Sequence, residues 1–204
     1  MPSNLRDEDL LRRAAQGDEA AFAHVYGAHQ ARLYRYALRM SGSASVAEET
    51  VQEVFLAVLR GNEKFKAAQG SLGAYLFGIT RNLVIKRLNR MWRDVPLETV
   101  EAEIDAQTSR PESGDMVHTR TPAAHAEQKE LVQQVREAVL GLPPEFREAI
   151  VTIDLEEMTY EEAAQMVGCP IGTIRSRLHR GRALLLKRLT ALRMRPEATT
   201  PSKG

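Results

Sequence analysis

Between Gly168 and Leu189 the sequence GCPIGTIRSRLHRGRALLLKRL holds six Lys or Arg residues and no Asp or Glu. Cationic side chains with no carboxylate nearby suit the neutralisation of phosphate oxygens. On a helical wheel of about 100° per residue, Ile171, Ile174, Leu178, Leu185, Leu189 and Leu192 fall on one apolar stripe. Opposite lie Gly172, Ser176, His179, Arg180 and Ala183, flanked by Arg175 and Arg182 on one side and by Thr173 and Arg177 on the other. A face with small, polar residues at its centre and basic shoulders fits a major groove. Its centre meets base edges and its shoulders meet phosphates. A charged helix face is ordinarily explained by i,i+4 acid–base pairs, but this stretch has no acid to supply them. A membrane-surface helix would turn bulky apolar residues toward lipid, whereas these leucines form a core stripe.

Other chemistry has no residues to carry it. His118, His125 and Cys169 match no zinc spacing. No nucleophile–base set or Walker-type phosphate loop occurs, so no catalytic residue, metal or cofactor is assigned. The reading is not an enzyme and has no small-molecule substrate. Cys169 is the only cysteine, which rules out an internal disulfide and fits a reducing compartment. The start MPSNLRDEDLLRRAAQGDEAAF does not have the build of a signal peptide. No run reaches the roughly 18 apolar residues of a membrane span. The expectation is a cytoplasmic protein without membrane insertion.

The elements that must position the basic face read as helices throughout. Thr159 with Glu162 predicts a capping box for TYEEAAQMV, and Gly168-Cys169-Pro170 predicts a tight turn into the basic helix. Two short helices joined this way make a helix-turn-helix. Upstream, Leu10, Leu11, Ala14 and Ala15 mark a short helix ended by Gly17. Asp18 caps a longer one that runs to Ser41-Gly42. Ser45 with Glu48 predicts a capping box for SVAEETVQEVFLAVLR, whose Val51, Val54, Phe55 and Val58 share a face. The loop GNEKFKAAQGSLG leads to a helix from about Ala74 to Met91. EQKELVQQVREAVLGL is helical to Gly141, and PPEFREAIVTIDLEE starts a helix with Pro in its first turn. No window alternates as a strand does.

Charge divides the chain. Net charge is only +1, but Lys64–Arg93 holds seven bases and Ala163–Pro196 holds eight, with no acid in either. Asp94–Gln128 has eight acids against Arg110 and Arg120, with three prolines and no sustained period. The fold expected is all-α. Two small helical domains, 1–93 and 129–195, are joined by a flexible acidic linker, 94–128, with a disordered tail, 196–204. The second domain is the helix-turn-helix.

LPPEFREAIVTIDLEEMTYEEAAQMVGCPIGTIRSRLHRGRALLLKRL resembles the promoter-reading C-terminal domain of bacterial sigma factors. AEETVQEVFLAVLR and FKAAQGSLGAYLFGITRNLVIKRLNR look like their N-terminal domain, which binds core polymerase and the minus-ten element. Two domains and nothing more resemble the short extracytoplasmic-function (ECF) group of the sigma-70 family.

The resemblance implies a factor that binds core RNA polymerase and promoter DNA, with an anti-sigma factor as a further partner. It places Glu48, Glu49, Gln52, Glu53 and Phe55 on the helix that docks on the polymerase clamp; of these, Phe55 reads as a core residue with Val51, and the polar four as the contacts. It assigns Phe65, Lys66, Tyr75, Asn82, Lys86 and Arg87 to the minus-ten element, with Asn82 as a base contact. It assigns Ser176, His179 and Arg180 to minus-35 base edges. Pro170, Thr173 and Arg175 match phosphate contacts, and Arg177 joins them from the wheel.

The sequence departs from the family in three places. The Phe65–Leu72 loop is one residue longer and lacks the usual Gly-Asp/Glu pair. Ile153 stands where many relatives carry Arg, and Tyr75 where many carry Trp. The alternative is a stand-alone helix-turn-helix regulator. Its first domain would be a sensor or dimerisation module with a ligand pocket or a self-complementary apolar face, and the sequence displays neither.

Overall fold

The computed structural model describes residues 3–60, 65, 71–94 and 122–193. Asp18, in extended backbone, accepts a hydrogen bond from the Ala21 N–H at 3.0 Å. That bond separates α1 (Ser3–Ala15) from α2 (Glu19–Ser41). Gly42 ends α2 in the left-handed region at φ 74°, where an L side chain is strained. Its N–H is donated to the Leu38 carbonyl at 2.8 Å. The chain re-enters a helix at once, so Ser43 rather than Ser45 caps α3 (Ala44–Leu59) and accepts from the Val46 N–H. Ser45 instead donates its hydroxyl to Glu49 at 3.2 Å. The cap lies two residues earlier than the Ser-x-x-Glu pattern suggests, because the left-handed turn is already complete at Gly42. Ser71 accepts from the Ala74 N–H and opens α4 (Leu72–Asp94), which starts before and ends after the expected span.

The first four helices close around Leu33, Tyr36, Met40, Val54, Leu76, Phe77 and Val84, all essentially buried. Val51, Val54, Phe55 and Val58 share the buried face their spacing predicted. Tyr36 and Phe77 meet edge to face with ring centroids 5.4 Å apart. Burial of side chains this size stabilises by roughly 1.5–3 kcal/mol each, so a core with few aromatics still holds the bundle.

The second unit is built from α5 (Pro122–Leu140), α6 (Pro144–Ala149), a π-helical turn (Ile150–Leu155), α7 (Tyr160–Val167) and α8 (Ile171–Arg193). α5 begins inside the stretch read as linker. The π turn was not expected, because periodicity cannot distinguish a widened turn from an α turn. The Glu156 N–H reaches back to the Val151 carbonyl at 2.9 Å, five residues earlier, and the widened turn ends the helix. The described residues are helical or connecting and contain no strand. No helix among them is long and apolar enough to cross a membrane. Lys66, residues 95–121 of the linker and the 196–204 tail lie outside the described residues.

The two units also pack against each other. α4 lies against α7, and α2 lies against α5, α6 and the π turn.

Candidate nucleic-acid interface

Thr159 accepts from the Glu162 N–H at 3.1 Å, and the Glu162 carboxylate accepts from the Thr159 N–H at 2.9 Å. This is the capping box expected for α7. Gly168 then takes φ 73°, and the Pro170 carbonyl accepts from the N–H groups of Thr173 at 2.9 Å and Ile174 at 3.3 Å. The Gly-Cys-Pro turn thus sends the chain directly into α8. Ile174 and Leu178 are buried, Ile174 in a cluster with Ala163 and Ala164. Ile171, Leu185, Leu189 and Leu192 are half-buried. The apolar stripe therefore faces the domain core, which turns Ser176, His179 and Arg180 to solvent.

The shoulders are less uniform than the wheel implied. Pro170 and Arg175 are exposed, while Thr173 and Arg177 are half-buried. The Arg175 guanidinium sits 5.4 Å from the Tyr160 ring centroid, a cation–π contact that aims it along the α7 side. The Ser176 hydroxyl donates to the Thr173 carbonyl at 3.0 Å. Arg182 forks onto Asp154 of the π turn, with its Nε 3.0 Å from Oδ2 and its terminal nitrogen 2.5 Å from Oδ1. That hydrogen bond and the attached charge raise the Arg182 pKa. The acid its own helix lacks comes from a distant turn, so Arg182 is already paired. Arg177 lines a cavity of about 230 Å³ between the units, together with Met40, Arg81, Ile85 and Glu145.

On α4, Asn82 and Lys86 are exposed on the same side, four residues apart. Phe65 packs on Tyr75 with ring centroids 5.3 Å apart, both half-buried at the start of α4. On α3, Glu48, Glu49, Gln52 and Glu53 form an exposed acidic face beside exposed Leu56. Arg87 departs from its expected company. It donates to the Thr50 hydroxyl at 3.0 Å and pairs with Glu53 at 2.9 Å and Glu49 at 3.8 Å. It therefore joins α4 to α3 and does not stand free beside Lys86.

Sequence reasoning missed a further constellation between the two units. Glu148 (α6) and Glu156 (just past the π turn) are buried in the chain as a whole. Arg81 of α4 donates to both carboxylate oxygens of Glu148, and Tyr36 lies 3.5 Å away through its hydroxyl. Burial works to lower the Arg81 pKa, but the hydrogen bond and charge of Glu148 outweigh it and hold the group above its ordinary value. Burial, then the Glu148 charge, pushes the Tyr36 hydroxyl up. Arg39 of α2 pairs with Glu156 at 2.5 Å and donates to the Leu155 carbonyl at 2.8 Å. Arg32 lies 3.4 Å from the same carboxylate, donates to the Glu156 carbonyl and covers the Phe77 ring at 5.1 Å. Burial nonetheless holds the Glu156 carboxyl above its usual range, against the pull of Arg39, Arg35 and Arg32.

Arg147 fastens the same seam. It donates to the Met40 carbonyl of α2 at 2.6 Å and to the carbonyls of Leu140 and Leu142. Burial, then Arg188, lowers its pKa. One signal was available in the sequence: Arg32, Arg35 and Arg39 fall at i, i+3 and i+7 on a helix with no acid after Glu19.

The chain matches two family models, Sigma-70 region 2 over residues 25–94 and Sigma-70 region 4 over residues 132–185. It is 30% identical over 196 residues to the ECF RNA polymerase sigma-E factor of Haemophilus influenzae, covering 94% of this chain and 100% of that one. It is 32% identical over 174 residues to the ECF sigma factor SigE of Mycolicibacterium smegmatis, which covers 84% of this chain but only 63% of that longer protein. The fold is similar to the sigma factor RpoE of Bartonella quintana, solved with the anti-sigma factor NepR. There the TM-score is 0.61 at 25% identity, over 83% of this chain and 96% of that one. It is also similar in fold to CnrH, solved with the cytosolic domain of CnrY, with a TM-score of 0.62 at 23% identity, over 91% and 97% of the two chains.

Proposed function

This chain belongs to the ECF group of the sigma-70 family, initiation factors that bind core RNA polymerase and direct it to promoters, and on that premise we propose how its surfaces divide the task. Ser176, His179 and Arg180 read base edges of the minus-35 element from the major groove. Pro170, Thr173, Arg175 and Arg177 hold the flanking phosphates. Asn82 and Lys86 serve the minus-ten element, together with Lys66 and the Phe65–Tyr75 pair. Glu48, Glu49, Gln52 and Glu53 meet the polymerase. Arg87, tied to Thr50 and Glu53, orients that acidic helix relative to α4. The chemistry of transcription belongs to the polymerase, and the factor contributes recognition in the cytoplasm. A partner of the anti-sigma class, as solved with the Bartonella factor, is part of the reading.

The observation that carries it is the α8 face. A helix with no acid turns its leucine stripe inward and presents Ser176, His179 and Arg180 to solvent after an intact helix-turn-helix junction. A stand-alone operator-binding regulator is disfavoured, because the region 2 match gives the first unit a polymerase-binding role. The test is to mix the pure chain with core polymerase, follow co-elution on a sizing column, and assay run-off transcription from a promoter library. Co-elution with promoter-specific initiation is expected. DNA binding without any association with polymerase would overturn the reading.

A further inference from the structure

Three arginines of the region 2 unit are held by carboxylates of the region 4 unit. Arg81 grips Glu148 with two nitrogens, the geometry a guanidinium also offers a phosphodiester. Arg32 and Arg39 converge on Glu156 and on the carbonyls that end the π turn. Arg35, one turn from each, is exposed beside them. These side chains form one continuous strip: Arg32 covers Phe77, Phe77 packs on Tyr36, and Tyr36 meets Glu148 beside Arg81. The strip ends next to Asn82 on the helix proposed to face the minus-ten element. Among the described residues, every ion pair of Arg32, Arg39 and Arg81 is to Glu148 or Glu156 of the other unit.

We propose that Arg32, Arg39 and Arg81 form a phosphate-binding strip for the promoter DNA backbone, and that Glu148 and Glu156 occupy it in the packed chain as stand-ins for phosphate. The factor then cannot hold DNA on this strip until its two units separate. Separation also frees α8, whose Arg177 faces the seam. The arrangement suits release. Glu156 sits 1% exposed, so burial offsets much of what its arginines supply. A polyanion that takes the arginines lets both carboxylates return to water. The inference rests on the sigma-factor reading and adds a site and a closed state to it.

The test uses the full chain carrying Cys169→Ser and dyes on Glu19→Cys (α2) and Lys187→Cys (α8). Energy transfer reports separation of the units, and anisotropy reports binding of a fluorescent forked DNA with a single-stranded arm. Glu148→Ala leaves Arg81, only 19% exposed, without its partner. It should lower transfer and tighten DNA binding about tenfold. Adding Arg32→Ala and Arg39→Ala to Glu148→Ala should abolish that gain while transfer stays low. A Glu148→Ala chain that separates yet binds DNA no better, or keeps its gain without Arg32 and Arg39, overturns the strip. The parent labelled chain offers a check that does not depend on folding of the Glu148 variant: saturating DNA should lower its transfer. DNA binding with no change in transfer overturns the proposal. Run-off transcription by the wild type tests the sigma reading separately, so failure of one leaves the other standing.

Discussion

Arg87 spans from α4 to α3, with one nitrogen 2.9 Å from the Glu53 carboxylate and another 3.0 Å from the Thr50 hydroxyl. Thr50 is buried, and its own hydroxyl donates to the Val46 carbonyl at 2.6 Å. The helix proposed to meet polymerase is thereby fixed to the helix proposed to meet DNA. Loss of one hydrogen bond and a partly exposed ion pair amounts to about 1–2 kcal/mol. Arg87→Ala should lower the melting temperature by roughly 4–8 °C per kcal/mol for a domain of this size and weaken core-polymerase affinity. Thermal melting with a polymerase titration checks this. An unchanged melting temperature with a loss confined to DNA would return Arg87 to the DNA surface.

Arg180 and Arg175 should differ in kind. Arg180 lies on the exposed centre of α8, where an arginine–guanine pair contributes about 1–3 kcal/mol of discrimination. Arg180→Ala should relax preference at one minus-35 position. Arg175, at the shoulder over Tyr160, should on replacement by Ala weaken binding evenly across sequences and flatten the salt dependence by about one unit of slope. Promoter-library selection and salt titration of the holoenzyme separate the two. Equal, sequence-blind losses would refute the assignment.

Gly181 and Gly141 should respond differently to Ala. A Cβ at Gly181 would lie 3.1 Å from the Phe146 carbonyl oxygen and 3.2 Å from the Ile150 side chain, where α8 crosses α6. Backbone cannot yield there, so overpacking of about 1–3 kcal/mol should exceed the helix-propensity gain of about 1 kcal/mol. A Cβ at Gly141 would meet the tip of Arg188, a flexible side chain that can swing away. Denaturant melts should show Gly181→Ala destabilised and Gly141→Ala within about 0.5 kcal/mol of wild type.

Arg147 should be among the most sensitive of the buried polar positions. Its guanidinium donates to carbonyls at the ends of α2 and α5 and to Leu142. Each buried acceptor left without a donor costs about 1–3 kcal/mol. Arg147→Ala should lose about 3 kcal/mol or more and loosen the seam between the units. Chemical denaturation and amide exchange at residues 38–42 measure both. Exchange there as slow as in the wild type would show that Arg147 does not hold the seam.

The local features were legible in the sequence because they are set by neighbours. Asp18, Thr159 with Glu162, Gly42 and Gly168 specify caps and turns through bonds spanning only a few residues. The Ile174–Leu178 stripe fixes which side of α8 faces solvent, since a 3.6-residue period leaves one side for the core. The acidless run of α8 pointed to phosphate for the same reason. Tertiary structure decided what partners distant residues receive. Arg182 resembled a free shoulder until folding brought Asp154 to it across 28 positions. Arg87, expected at the minus-ten element, receives Glu53 and Thr50 of α3 as partners only in the folded chain. Nothing in the local sequence singles out Glu148 and Glu156, yet they meet arginines 67 to 124 positions away. Periodicity reports which face of a helix is apolar. It carries no record of which other helix, or which charge, that face will meet, because this depends on the packing of the whole chain.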